Sequence, residues 1–314
     1  MAMHRARLPQ LHGEVLLSDG GIETSLIFDD GVELPEFAAF TLLADDDGTA
    51  LLRRYFDRYV GVAREHGLGI VLESPTWRAS PRWAAALGYS APELDAFNRR
   101  ALELMAAVRD DATDLPSVVI SGCVGPEGDG YAPESTLTAD QAEEYHARQI
   151  EVFAAGEADL ATAITMTYAE EAAGVTRAAR SAKLPVAISF TVETDGRLPS
   201  GQSLAEAIAQ VDEETGGGPD YYMLNCAHPT HFADVLVPGE PWLERIRGLR
   251  ANASRKSHAE LDEATELDAG DPEELGAQYR ELGDVLPGLS VLGGCCGTDH
   301  RHVGAIATAW LGAA

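Results

Sequence analysis

The feature that most constrains this chain is a regular alternation of short apolar segments with longer amphipathic ones. Eight apolar segments read as strands: Val15–Asp19, Gly69–Glu73, Ser117–Gly122, Leu160–Thr165, Val186–Phe190, Tyr221–Cys226, Gly248–Ala253 and Ser290–Cys295. Most are near-continuous apolar runs, the pattern of strands buried on both faces. Gly248–Ala253, with Arg250 and Asn252, departs furthest from that pattern. The stretches between them carry helix start signals. Ser90-Ala-Pro-Glu93, Thr138-Ala-Asp-Gln141 and Ser203-Leu-Ala-Glu206 have the form of capping boxes, and Asp271-Pro272 places a cap before a proline. Strand–helix alternation implies right-handed crossovers and a parallel sheet. Eight units in 314 residues predict an α/β fold of one domain, a closed (β/α)8 TIM-type barrel with its core at about 15–308. An open doubly wound sheet is the alternative, and no G-x-G-x-x-G follows the first strand to support it.

Charge narrows the partners. Asp and Glu number 51 against 23 Lys and Arg, a formal net charge of −28. Phosphate backbones and anionic lipid both require clustered basic residues, so nucleic acid and membrane surfaces are excluded as partners. Only Lys183 and Lys256 are lysines. An acidic surface so poor in lysine fits concentrated salt, where charges are screened within about 3 Å at about 1 M. It equally fits an arginine-rich composition with a solubilising surface. No apolar run reaches the length of about 18 residues that spans a membrane. Met1–Glu14 has basic residues without an apolar stretch after them, unlike a signal peptide. A cytoplasmic location with reduced cysteines is therefore expected.

In such barrels the active site lies at the C-terminal ends of the strands. The predicted strand ends carry Asp19-Gly20-Gly21, Cys123, Asn225-Cys226 and Gly293-Gly-Cys-Cys-Gly297. All four cysteines thus fall on one rim. Cys295 and Cys296 are adjacent, so a turn is needed before both face one point, and the flanking glycines permit it. Cys226 lies 69 residues before Cys295, too far for a zinc-ribbon spacing, and joins the pair only through the fold. Three thiolates favour zinc and leave a fourth position open. A thiol bound there loses its proton well below its ordinary pKa of about 8.5 and attacks an electrophilic methyl group. The competing reading is a vicinal disulfide or buried free thiols in a redox or non-catalytic zinc protein. His228, His231, His300 and His302 lie close in sequence and are expected outside the ligand set, with His228 the candidate for orienting the site. Cys123 is expected in the core.

Gly293-Gly-Cys-Cys-Gly297, with Asn225-Cys226 and Asp19-Gly-Gly21, resembles the zinc-dependent homocysteine S-methyltransferase family, as do Ile188-Ser-Phe190 and Gly201-Gln-Ser-Leu-Ala-Glu206. The resemblance runs from about Val15 to Thr308. It implies a (β/α)8 barrel, zinc (Zn2+) held by Cys226, Cys295 and Cys296, and methyl transfer from a small-molecule donor to the thiol of homocysteine, giving methionine. It also implies that Asp19, with Gly20 and Gly21, lies near the substrate amino group. One departure stands out: where the family has a glutamate at the end of the fourth strand, this chain has Ile164. Either another acid takes over or the acceptor is a different thiol. Glu73 is a strand-end candidate for that role, or else a partner of Arg78. Trp77-Arg78 also replaces the family's usual aromatic residues. Asn225, Thr76 and Ser189 complete the expected substrate contacts. With no added cobalamin or folate domain in the sequence, a sulfonium donor is preferred over a betaine or a corrinoid.

Overall fold

The computed structural model describes residues 1–131 and 136–312. Eight parallel strands close into one barrel in sequence order. They are β1 (Leu16–Leu17), β2 (Gly69–Glu73), β3 (Val118–Val124), β4 (Leu160–Met166), β5 (Val186–Phe190), β6 (Tyr221–Asn225), β7 (Ile246–Ala251) and β8 (Val291–Gly294). Ring closure runs through β1, which pairs with β2 on one side and β8 on the other. All eight expected strands form, with shifted edges. β1 is shorter than Val15–Asp19 because only Leu16 and Leu17 pair on both sides. β7 begins two residues early, at Ile246, and ends at Ala251, so Asn252 and Ala253 belong to the loop above it.

The start signals act as read. Ser90 N–H donates to the Glu93 carboxylate at 2.8 Å, Thr138 N–H to Gln141 at 2.9 Å, and Ser203 N–H to Glu206 at 3.0 Å. These open the helices Ala91–Asp111, Ala139–Ala155 and Leu204–Thr215. Asp271 accepts from the amides of Glu273 and Glu274 ahead of the helix Pro272–Val285. The crossover after β6 is irregular, with a one-turn α-helix, Pro229–Phe232, and two short 3-10 turns, Ala233–Val235 and Pro241–Arg245.

Two apolar layers result. The larger lies between the strands and the surrounding helices. The smaller fills the barrel interior with Leu16, Val71, Val119, Leu160, Tyr221, Met223 and Val291, and Leu8 from the N-terminal segment joins it. That segment is pinned below the barrel, with the Asp159 carboxylate accepting from the amides of Met3 and His4. A filled lower barrel leaves room for a ligand only at the C-terminal mouth. Among the described residues, no helix is long and apolar enough to cross a membrane.

Candidate metal centre

The sulfurs of Cys226, Cys295 and Cys296 all lie within 4.8 Å of one another, the only such cluster of metal-ligating side chains among the described residues. Three cysteine sulfurs on one rim match zinc in number and type of donor, and reduction of the bond between two of them would free all three as thiolates. Cys226 and Cys295 are joined as a disulfide across Cα atoms 5.4 Å apart. The pairing therefore runs between β6 and β8 and is not the vicinal one; Cys296 and Cys123 are free.

Local backbone explains the convergence. Cys226 follows β6 with φ of +53°, a left-handed conformation that a non-glycine residue adopts at a cost of order 1–3 kcal/mol. Asn252 and His258 hold that turn, both hydrogen-bonding the Cys226 carbonyl, at 2.9 and 2.7 Å. After β8 the chain turns at Gly297, φ +77°. Cys295 N–H bonds the Ala251 carbonyl, and Ala253 N–H bonds the Cys296 carbonyl, which ties the pair to the end of β7. Gly21 makes this packing possible, since a Cβ there would sit 2.6 Å from the Cys295 carbonyl oxygen.

Each sulfur has one polar neighbour. The Thr165 hydroxyl faces Cys226 Sγ at 3.8 Å, Asn225 Nδ2 faces Cys295 Sγ at 3.9 Å, and the Tyr131 hydroxyl faces Cys296 Sγ at 3.3 Å. Asn225 is itself fixed: its Oδ1 accepts from Thr165 N–H and the Ser189 hydroxyl, and its Nδ2 donates to Thr165 Oγ1. Thr165 is left-handed too, φ +67°, at a register break in β4. Tyr131 stacks on His258 with ring centroids 4.1 Å apart. Burial pushes the Cys296 thiol up against the opposing Tyr131 hydrogen bond.

The sulfurs open into a cavity of about 450 Å³. Asp19, Gly20, Gly21 and Glu73 line it, and so do Ile164, Glu23, Trp77, Arg78 and Arg250; Cys123, expected in the core, is buried yet reaches the wall. Arg250 is buried and pairs with Asp19 at 2.8 Å. Burial raises the Asp19 pKa, and Arg250 is the largest opposing influence. Burial likewise pushes Glu73 and Glu23 up to about 7. Glu73 does not pair with Arg78, whose guanidinium reaches Asp129 and lies over the Trp77 and Trp83 rings.

Three expected contacts, Asn225, Thr76 and Ser189, fall outside the cavity wall. The Thr76 hydroxyl, fully buried, donates to the Cys123 carbonyl at 2.7 Å, and Ser189 reaches only as far as Asn225. Thr76, in the loop after β2, is tied to β3, and Ser189, on β5, is tied to Asn225 on β6. The histidines are structural. His228 caps the helix Pro229–Phe232 and is held to about 4, chiefly by burial; His302 bonds the Ala269 carbonyl; His231 bonds the Arg255 carbonyl. Arg250, Thr165 and Tyr131 went unread as site residues. An arginine inside a strand of a barrel wall was the available signal for Arg250, since a buried charge demands a partner.

A family model described as homocysteine S-methyltransferase matches residues 16–310. The chain belongs to the homocysteine S-methyltransferase family. It is 33% identical over 138 residues to a methionine synthase of Mycobacterium leprae, a match covering 40% of this chain and 10% of that protein. The chain thus spans about a tenth of the length of that relative. A selenocysteine Se-methyltransferase of Brassica oleracea is 23% identical over 260 residues, 75% of this chain and 73% of that one. The fold is that of the homocysteine methyltransferase MmuM from Escherichia coli. Its oxidized form superposes with a TM-score of 0.76 at 17% identity, covering 97% of this chain and 99% of that one. The metallated form gives 0.69 over the same shares.

Proposed function

We propose that this protein transfers a methyl group from a cationic small-molecule donor to the thiol of homocysteine, forming methionine, with Zn2+ held by Cys226, Cys295 and Cys296. One observation carries the reading: three cysteine sulfurs gathered within 4.8 Å at the floor of a substrate-sized cavity. Zinc bound there would supply the positive charge that keeps an incoming thiol deprotonated near neutral pH.

The chain's own residues do the rest. Thr165, Asn225 and Tyr131 each place a donor at one sulfur, which favours the thiolate form over the thiol. Ser189 holds Asn225 in place, and Thr76 holds the Cys123 carbonyl beside the wall. Gly20 and Gly21 let the backbone of the first loop approach Thr298 and Cys295 closely. Asp19 pairs with Arg250 on the cavity wall beside the acceptor. Positioning of two substrates in one walled cavity supplies much of the rate. All three sulfurs must be reduced, so the reading needs a reducing compartment, the cytoplasm.

The wall supports a cationic donor. Asp19, Glu23, Glu73, Asp129 and Asp262 face the cavity against Arg78 and Arg250. Trp77, Phe28, Phe37 and Tyr131 add aromatic faces. Acidic clefts concentrate cations, and aromatic faces attract them at close range. A sulfonium or a quaternary ammonium fits that wall better than an anionic methyl carrier. A second reading, a thiol acceptor other than homocysteine, is favoured by Ile164, which gives the β4 wall an apolar side chain.

The test is methionine formation from homocysteine with S-methylmethionine, S-adenosylmethionine, glycine betaine or methylcobalamin, run with zinc at low and molar salt. Methionine from a cationic donor is expected. Turnover with another thiol and none with homocysteine would move the function to the second reading.

A further inference from the structure

The cavity floor holds two buried carboxylates and one buried guanidinium. Asp19, Glu73 and Arg250 are 3%, 5% and 5% exposed. The guanidinium is committed to Asp19, at 2.8 Å, and its further N–H groups donate to the Gly20 and Gly294 carbonyls and the Ser18 hydroxyl. Tyr55 also donates to Asp19, at 3.0 Å. Asp19 is therefore fully partnered by the protein itself.

Glu73 is not. It ends β2 on the cavity wall. Its carboxylate has hydrogen bonds from Ser121 and Thr162, yet Oε2 is buried with no partner. Arg250 is the cation acting on it; Asp19 from the loop after β1, Cys123 from β3 and Tyr221 from β6 add only negative or neutral groups. One positive charge thus serves two carboxylates. A buried carboxylate oxygen without a partner costs free energy until a donor arrives, and a charged donor offsets the most. Burial holds the Glu73 pKa at about 7, so near neutral pH it stands ready to take up a cation in place of a proton.

We propose that Glu73 holds the ammonium group of the acceptor and makes the site selective for amino-acid thiols over thiols that lack the amino group. The inference rests on the methyltransferase reading above. It moves the substrate-orienting carboxylate to β2, opposite an apolar Ile164, and gives Asp19 the separate task of fixing Arg250.

The experiment titrates L-homocysteine and 4-sulfanylbutanoate, the same molecule without its amino group, into zinc-loaded wild-type and Glu73→Gln protein by calorimetry, without donor. Wild type is expected to prefer homocysteine by about 10- to 100-fold, the range for a hydrogen bond to a charged group. Glu73→Gln should lose that factor on homocysteine, change little on the amino-free thiol, and show its loss in the acceptor KM. A wild type that binds both thiols equally, a preference that survives in Glu73→Gln, or a loss that falls on the donor KM would each overturn the proposal. Glu73→Asp, which keeps the charge on a shorter stem, should retain part of the preference and replaces Glu73→Gln if that variant fails to fold. Absence of methyl transfer to any thiol counts against the methyltransferase reading alone, because the calorimetric preference is measured without turnover.

Discussion

Replacing Arg250 with methionine tests whether the charge arrangement under the mouth is the structural centre of this barrel top. The substitution removes the ion pair to Asp19 and the bonds to the Gly20 and Gly294 carbonyls and the Ser18 hydroxyl. Asp19 would then keep only Tyr55 and Ser18 as partners. Breaking a buried pair by removing one partner costs about 3–5 kcal/mol. With about 2.1 cal/mol/K of unfolding entropy per residue, a chain of this length loses about 5–8 °C in its midpoint. The loss depends on pH with a definite sign. Burial has already raised the Asp19 pKa, and Arg250 is the largest influence lowering it, so the variant raises it further. A raised carboxyl costs stability as pH climbs from its ordinary value toward its folded one, so the deficit of Arg250→Met is smaller in acid and grows with pH. Thermal unfolding followed by circular dichroism, with zinc and reductant present, reads the effect. Asp19→Asn combined with Arg250→Met should recover at least about 1.5 kcal/mol of coupling. A deficit below about 1 kcal/mol at pH 8, or strictly additive single variants, would refute the argument that the pair carries the rim.

The other expectations concern metal, protonation, packing and salt. Protein purified under reducing conditions should contain about one zinc per chain, lost in Cys226→Ser and kept in Cys123→Ala, as metal analysis will show. Glu73 rises from the ordinary 4.5 to about 7 on folding, so stability falls between those pH values; Glu73→Gln should match wild type at pH 4.5 and exceed it above pH 7 by up to about 3 kcal/mol in denaturant titrations. Gly21→Ala drives a methyl group against the Cys295 carbonyl and should weaken zinc affinity by about 10-fold or more, measured by chelator competition. A surface of net charge −28 should gain stability in about 1 M KCl, visible as a raised unfolding midpoint.

What was legible in the sequence, and what was not, follows from how far apart the interacting groups lie. Val119 and Ile120, Leu224, and Leu292 announce buried strands because burial on both faces is a local pattern. The cysteines announce a site because strand ends in a barrel share one rim, so a residue's position in its own unit fixes its neighbourhood. Arg250 defeated that logic. Its partners Ser18, Asp19 and Gly20 are more than 200 residues earlier and meet it only when β1 closes the ring against β8. The turns at Thr165 and Cys226 were invisible for another reason: a left-handed backbone at a non-glycine residue leaves no trace in composition. The same closure decides the acid question at the mouth. Read singly, Asp19 looks like the free carboxylate and Glu73 like a salt-bridge partner. Once β7 delivers Arg250 to Asp19, the assignment inverts, and the unpartnered oxygen belongs to Glu73. Which acid meets the substrate is therefore a property of three strands together, and no motif on any one of them could have stated it.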